Sequence, residues 1–359
     1  MRKIFQYILM AVAVVATASC SNELDEALQP VGNGTLQFVV SDFPAFGEDP
    51  ETRAIGNQDV GKTDWAKDDQ IIITLTSDKY GVQSAALTYN GTSWSTAASL
   101  SYLENETPTV SAIYAPCNEV TGNTMNLKTG MLYGMTEYLV ASDCQVVNNT
   151  ISISFDGVTR DYSRLRIAGL ANQTLTVTTT GFTPAGATSE TTAAYTLTTD
   201  NNGNAFLYGV FSEGATVSVK YGDVVLKDYT FTAEKNPNGT EQGKSYALDA
   251  RPIIDGTLGG DTDVTDDDIK ALVNKLKYYV DNGITTIIVP GSNPATYSTD
   301  YSTTTAIGEA IYRLSGRGTH SENNQYNGKI DLILPDVTGI VDYDFYYYCP
   351  LNFIVARKR

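Results

Sequence analysis

Short apolar, β-branched segments separated by turn signals recur along residues 34–250, and this spacing constrains the fold more than any other feature. Candidate strands lie at 34–43, 70–76, 85–89, 109–114, 150–155, 163–168, 174–180, 193–197, 205–211, 215–221, 224–232 and 244–248. Asn90-Gly91, Asn202-Gly203 and Tyr221-Gly222-Asp223 punctuate them. Many short strands at roughly 8–12-residue spacing predict β-sandwiches, not alternating β-α-β units. The 23 Tyr of the chain agree, since Tyr, like Thr, fits a pleated, half-exposed surface. A length of 359 residues leaves room for about two domains plus tails at roughly 100–200 residues each. The stretch from Gly122 to Asn149 is looser, and a domain boundary is expected near its end.

The first twenty residues set an address. Arg2 and Lys3 precede an apolar run from Ile8 to Ala16, which ends in Thr17-Ala18-Ser19-Cys20. A charged start, a short apolar middle and small residues before the break form a secretory signal. The run is shorter than the ~20 apolar residues of a spanning helix. Cys20 is either an incidental neighbour of a small-residue cleavage site or the lipidated first residue of a bacterial lipobox, and the second reading is the sharper. Acyl chains contribute ~0.8 kcal/mol per buried CH₂, enough in combination to anchor a folded domain to a bilayer. Ser21-Asn22-Glu23-Leu24-Asp25-Glu26 follows, either a plain solvated linker or an acidic export tract.

A net charge of −17 argues against nucleic acid, whose phosphates require clustered Lys and Arg. With Cys20 assigned to lipid, Cys117, Cys144 and Cys349 remain, an odd number that cannot complete a disulfide framework. Cys117 with Cys144 is geometrically allowed, and buried free thiols are the alternative.

The character changes after Arg251-Pro252. Thr265 can cap a helix with Asp268 at its third position, an approximate capping box. Ile269, Leu272, Val273, Leu276 and Val280 then recur at helical spacing until Asn282-Gly283. A strand at 284–289, an apolar segment around 307–314 and a strand at 330–334 follow. The Asp-rich tract 255–268 invites comparison with a calcium loop, but the required Gly is missing from either starting Asp; a helix-capping linker is the favoured reading.

Little of this chain asks for catalysis. His320 is the sole histidine, in a polar loop without a nucleophile elbow. There is no phosphate-binding G-x-x-x-x-G-K-[ST] and no Cys/His ligand spacing. Paired carboxylates are abundant but mostly cluster in linkers, and carboxylate counting has almost no specificity. No enzyme, no cofactor and no metal are therefore expected. Trp65, Trp94 and Tyr346–Tyr348 offer rings that could stack on sugars, which keeps a carbohydrate-binding or carbohydrate-degrading surface lipoprotein as the alternative.

Two resemblances sharpen the expectation. Cys20, the first strand Gly34–Phe43, Glu51-Thr52-Arg53-Ala54, Trp65-Ala66-Lys67-Asp68-Asp69-Gln70-Ile71, Ser111–Pro116, Glu137–Ala141 and Ile151–Phe155 together resemble the Bacteroidetes fimbrillin family. The likeness covers about residues 20–250 and lies in the order and spacing of the motifs; the family's usual His soon after the Ile151–Phe155 strand is absent. It implies two tandem transthyretin-like β-sandwiches in a type V pilus subunit. Such subunits are exported as outer-membrane lipoproteins to the cell surface or fimbrium. A trypsin-like protease then cuts after an Arg in the loop following the first strand, and a neighbouring subunit's strand enters the vacated groove. On this chain the lipidated residue would be Cys20 and the cut would follow Arg53. The exchanged strand would present Leu36, Phe38 and Val40. The implied partners are other pilus subunits, the processing protease, the membrane through its lipid anchor, and a host or bacterial surface ligand.

Ile330–Thr338, then Ile340, Phe345, Cys349, Leu351 and Ile354, resembles a BspA-type leucine-rich repeat. In such a repeat the apolar residues share a solenoid core and about three or more units stack; Cys349 would be a core residue. One clear copy is visible, with 284–289 a divergent first turn. The fold class expected is mainly β: two sandwiches followed by a small α/β, leucine-rich-repeat-like segment. Residues 1–19 form the lipoprotein signal, 20–33 an acidic linker, 34–148 and 149–251 the two sandwiches, 252–264 a second linker, and 265–359 the helix and repeat-like segment. Because the C-terminus reads as a repeat, a tip, anchor or accessory adhesin is favoured over a bulk stalk subunit, with Leu351–Val355 a second-choice donor strand.

Overall fold

The computed structural model describes residues 30–32, 36–44, 46, 62–104, 106–254, 265–289, 310, 313–314, 330–333 and 354–357. The described chain is mainly β and falls into three consecutive units. The first contains β1 (Pro30–Gly32), β2 (Gln37–Val40), β3 (Gln70–Ser77), β4 (Gly81–Tyr89), β5 (Trp94–Ser95) and β6 (Ser101–Leu103). It continues with β7 (Thr109–Tyr114), β8 (Asn118–Thr121), β9 (Thr124–Leu127), β10 (Leu139–Val140), β11 (Asp143–Val147) and β12 (Thr150–Ser154). The second holds β13 (Ser163–Ala168), β14 (Thr174–Pro184), β15 (Thr191–Thr198), β16 (Asn204–Tyr221), β17 (Val224–Thr230) and β18 (Ser245–Asp249). The third has α1 (Asp266–Asp281), β19 (Thr286–Ile288), β20 (Ile330–Ile333) and β21 (Ile354–Arg357).

In the first unit a five-stranded sheet, β10-β7-β3-β4-β5, shares one core with a three-stranded sheet, β11-β12-β2. Alternation makes this work: Ile71, Ile73 and Leu75 of β3 point inward with Ile151 and Ile153 of β12. The hairpin β8-β9 and the pair β1-β6 flank the sheets. The turn at Asn90-Gly91 is closed by the Asn90 side chain, whose Oδ1 accepts the N–H groups of Thr92 (2.8 Å) and Ser93 (2.9 Å).

Three boundaries differ from the sequence reading. The strand Thr150–Ser154, expected to open the second sandwich, completes the first, because Ile151, Ile153 and Phe155 are buried with the first unit's core. The boundary therefore falls between Phe155 and Ser163. The stretch from Gly122 to Asn149, read as loose, contains the whole of β9, β10 and β11. Pro30–Gly32, at the end of the expected acidic linker, pairs antiparallel with Ser101–Leu103.

The second unit is a six-stranded sheet with the path β15-β14-β16-β13-β18, β17 pairing with β16. Two strands expected at 205–211 and 215–221 are one 18-residue strand, β16. Its first half pairs with β13, and its second half lies between β14 and β17. The kink that separates the halves is matched by a register shift in β14 between Thr180 and Phe182. Gly181 occupies it with φ +62°, and a Cβ there would sit 2.8 Å from the Ser212 hydroxyl. Phe182, Phe211 and Phe231 stack in series at 4.3 and 4.8 Å beneath this bend.

In the third unit the capping box forms: the Thr265 hydroxyl accepts from Asp268 N–H, and the Asp268 carboxylate accepts from Thr265 N–H. Leu272, Val273, Leu276, Tyr279 and Val280 bury the inner face of α1 against Ile287, Ile330 and Leu332. β19, β20 and β21 form a parallel sheet in register, Ile287 opposite Leu332 and Leu332 opposite Ala356. The unit docks on the second sandwich: Val224 belongs to its core, and Val225 N–H donates to the Tyr278 hydroxyl. No helix among the described residues is long and apolar enough to cross a membrane.

Candidate functional site

The leading strand β2 runs parallel to β12 at the margin of the β11-β12-β2 sheet, Phe38 opposite Ile151 and Val40 opposite Ile153. Gln37 N–H donates to Asn149 O at 2.8 Å, and Ser41 N–H to Ile153 O at 3.0 Å. Its other edge has no strand partner among the described residues. Side chains alternate as a half-buried strand should. Leu36 is buried at 9% exposure, Phe38 and Val40 pack against the core, and Val39 is 48% exposed. The three residues singled out from the sequence thus form one inward-facing strip over Ile151 and Ile153.

Sequence reasoning missed the continuation of this strip. Beyond Val40 the chain leaves the ladder but not the core, and Phe43 and Phe46 are both buried. Phe43 fits edge-on against Trp65 (4.9 Å) and Tyr114 (5.5 Å). Phe46 lies under two guanidinium groups, those of Arg160 at 4.5 Å and Arg164 at 4.6 Å from its ring centre. The signal for this was present, two aromatics three residues apart directly after a strand. Three hydrogen bonds fix the path: Ser41 O accepts from Trp65 Nε1 (2.7 Å), the Ser41 hydroxyl Oγ from Phe155 N–H (2.8 Å) and Pro44 O from Arg160 Nη2 (2.6 Å).

Behind Phe46 lies a buried charge cluster at the junction of the two sandwiches. The Glu137 carboxylate accepts from Arg160 through Nε (2.8 Å) and Nη2 (2.7 Å), and from the Tyr162 hydroxyl (3.2 Å). Burial pushes the Glu137 carboxyl above its ordinary value, against the opposing pull of Arg160. Burial likewise raises the hydroxyls of Tyr162 and Tyr114, with the Glu137 charge adding to both. Beside this junction a cleft of about 460 Å³ is lined by Lys62, Tyr114, Glu137, Asn204, Phe206 and Tyr208 among others.

Readings that the sequence left open are decided here. Trp94 is buried, and Trp65 is enclosed by Phe43, Trp94, Tyr114 and Phe155. Both are core aromatics, not platforms for a sugar ring. Cys117 and Cys144 are free thiols, Cys117 buried and Cys144 partly so. Burial raises both, Cys144 to about 11 with the help of Asp143. Cys20, Arg53, His320, Tyr346–Tyr348 and Cys349 lie outside the described residues.

No protein-family model matches the chain, and no curated protein matches it. Among solved structures it is similar to a candidate cell adhesion protein from Bacteroides fragilis at 11% identity and a TM-score of 0.29, covering 60% of this chain and 92% of that one. It is also similar to two variants of the shaft pilin SpaA from Lactobacillus rhamnosus GG, each at 13% identity and a TM-score of 0.19. These cover 62% of this chain and 97% and 96% of the pilin chains.

Proposed function

We propose that this chain is a fimbrillin-like surface protein, a pilus subunit of the tip, anchor or accessory kind, completed by a strand from another subunit once its own leading strand is removed. Lipidation at Cys20 would hold it at the outer membrane, and cleavage after Arg53 would free the leader. The observation that carries this reading is the seat of β2: an edge strand, paired on one side, that nevertheless supplies Leu36, Phe38 and Val40 to the core. Without it, β12 would present a row of unpaired N–H and C=O groups above an apolar strip, the arrangement that captures an extended peptide. Each buried apolar side chain contributes about 1.5–3 kcal/mol, so the vacancy would be unstable until another strand fills it. The work is mechanical and interfacial, with no catalytic step. The helix-led third unit, whose C-terminal sequence resembles a leucine-rich repeat, is the displayed module in this reading.

Limited digestion with an Arg-specific protease tests it. Intact-mass analysis should show a 306-residue product (359 − 53) starting at Ala54, which forms detergent-resistant assemblies when mixed with a strand-donating pilus subunit. A stable cut elsewhere, or a product that never assembles with any donor, overturns the proposal.

A further inference from the structure

Building on strand exchange, we infer that the vacated groove selects a donor strand from a different protein, one carrying aromatic residues at the seventh and tenth positions after its first strip residue, and discriminates against a second copy of this chain. The groove has two parts with different chemistry. The strip beside β12 takes Leu36, Phe38 and Val40, an undemanding pattern of alternate apolar residues. The socket beyond it is specific. It takes Phe43 at position 43 − 36 = 7, between Trp65 and Tyr114, and Phe46 at position 46 − 36 = 10, beneath Arg160 and Arg164.

The donor segment read from this chain's own sequence is the one at 351–355. Leu351-Asn352-Phe353-Ile354-Val355 repeats the order of Leu36-Gln37-Phe38-Val39-Val40 almost residue for residue. Residues 354–357 also add parallel to β20, as β2 adds parallel to β12. The match fails at the socket. With Leu351 set on Leu36, Arg357 falls where the leader has Asp42, and Lys358 falls where it has Phe43. That slot is buried, and its rim already holds the Lys62 ammonium, 5.5 Å from the Phe43 ring centre and paired with Asp69 at 2.6 Å. A second ammonium would be desolvated beside the first with the nearby carboxylate already engaged. Further in, Arg160 and Arg164 face the Phe46 site, and Glu137 is committed to Arg160. The socket is therefore complementary to π-faces and opposed to a basic run, which is how an interface rejects a wrong partner.

The test uses the full chain with an engineered cleavage site between Phe46 and Lys62, so that the leader is nicked without relying on Arg53. Three labelled peptides compete for the groove: LQFVVSDFPAF, the leader itself; LNFIVARKR, this chain's own C-terminal segment; and LNFIVSDFPAF, a hybrid with the C-terminal strip and the leader's socket residues. The leader and the hybrid should bind alike, and LNFIVARKR at least about tenfold more weakly. Equal binding of LNFIVARKR and the hybrid overturns the inference while leaving strand exchange standing. If no peptide enters, strand exchange itself fails, and the socket is judged on the nicked leader: Phe43→Ala and Phe46→Ala leaders should dissociate at least about tenfold faster than the native one. Unchanged rates for both overturn the inference on its own terms.

Discussion

Glu137 sits where two opposing forces can be weighed against each other. Removal from water raises its carboxyl, and the two Arg160 contacts lower it; removal from water is the larger effect. The folded chain therefore holds a proton at Glu137 to higher pH than the unfolded chain does. With more protons on the native state, stability must fall as pH rises. The Glu137 contribution is full below the ordinary glutamate value of 4.5 and is lost as pH climbs through the raised value. Urea midpoints measured from pH 4 upward should show this decline at constant m, and Glu137→Gln should flatten it; an unchanged slope in the variant would assign the decline elsewhere. Glu137→Leu should be worse at every pH, by about 3–5 kcal/mol, because it leaves a buried Arg160 without its carboxylate.

At the scale of an element, α1 shows how local chemistry starts a unit whose other parts lie far away in sequence. Thr265 and Asp268 satisfy each other's backbone N–H groups, and Asp266, the first residue of the helix, reaches Arg313 (2.6 Å) and Lys270 (3.0 Å). Thr265→Ala should cost about 1 kcal/mol of stability in the third unit, read as faster amide exchange along 266–281. The Arg313 and Lys270 hydrogen bonds push the Asp266 carboxyl down to about 2. Its support is thus present above the ordinary value of 3.8 and is lost as pH falls from about 4 to 2. An acid titration of helix amides should contain a step in that window, and Asp266→Asn should remove it.

At the scale of the whole molecule, shared residues join the three cores of the described chain. Tyr208 of β16 reaches the first core, and Val224 of β17 is buried in the third. Val224→Asp places a carboxylate in an apolar seam at a cost of several kcal/mol. It should release the third unit selectively, splitting one calorimetric transition into two while exchange protection in 163–221 persists. A single unsplit transition at lower temperature would show that the second and third units unfold only together.

The residue pattern was sufficient for what depends on neighbours in the chain. Short apolar, β-branched segments between turn signals located β3, β7, β12 and β13 within a residue or two, and Thr265 with Asp268 located the start of α1. The family resemblance pointed to Leu36, Phe38 and Val40, and the structure puts all three against one core. The residue pattern could not assign β12 to a sandwich, because 150–154 alternates identically whether its inward face meets Ile71 and Leu75 or a second core. Nor could it join 205–211 to 215–221, since Ala215 follows a Gly that serves a turn or a kink equally well. The burial of Phe43 and Phe46, and the cationic socket that receives Phe46, arise from contacts across more than 60 residues of chain: Arg160 with Pro44, Tyr114 with Phe43. Sequence periodicity reports which side of a strand is apolar; only the packed structure decides which other strand that side meets.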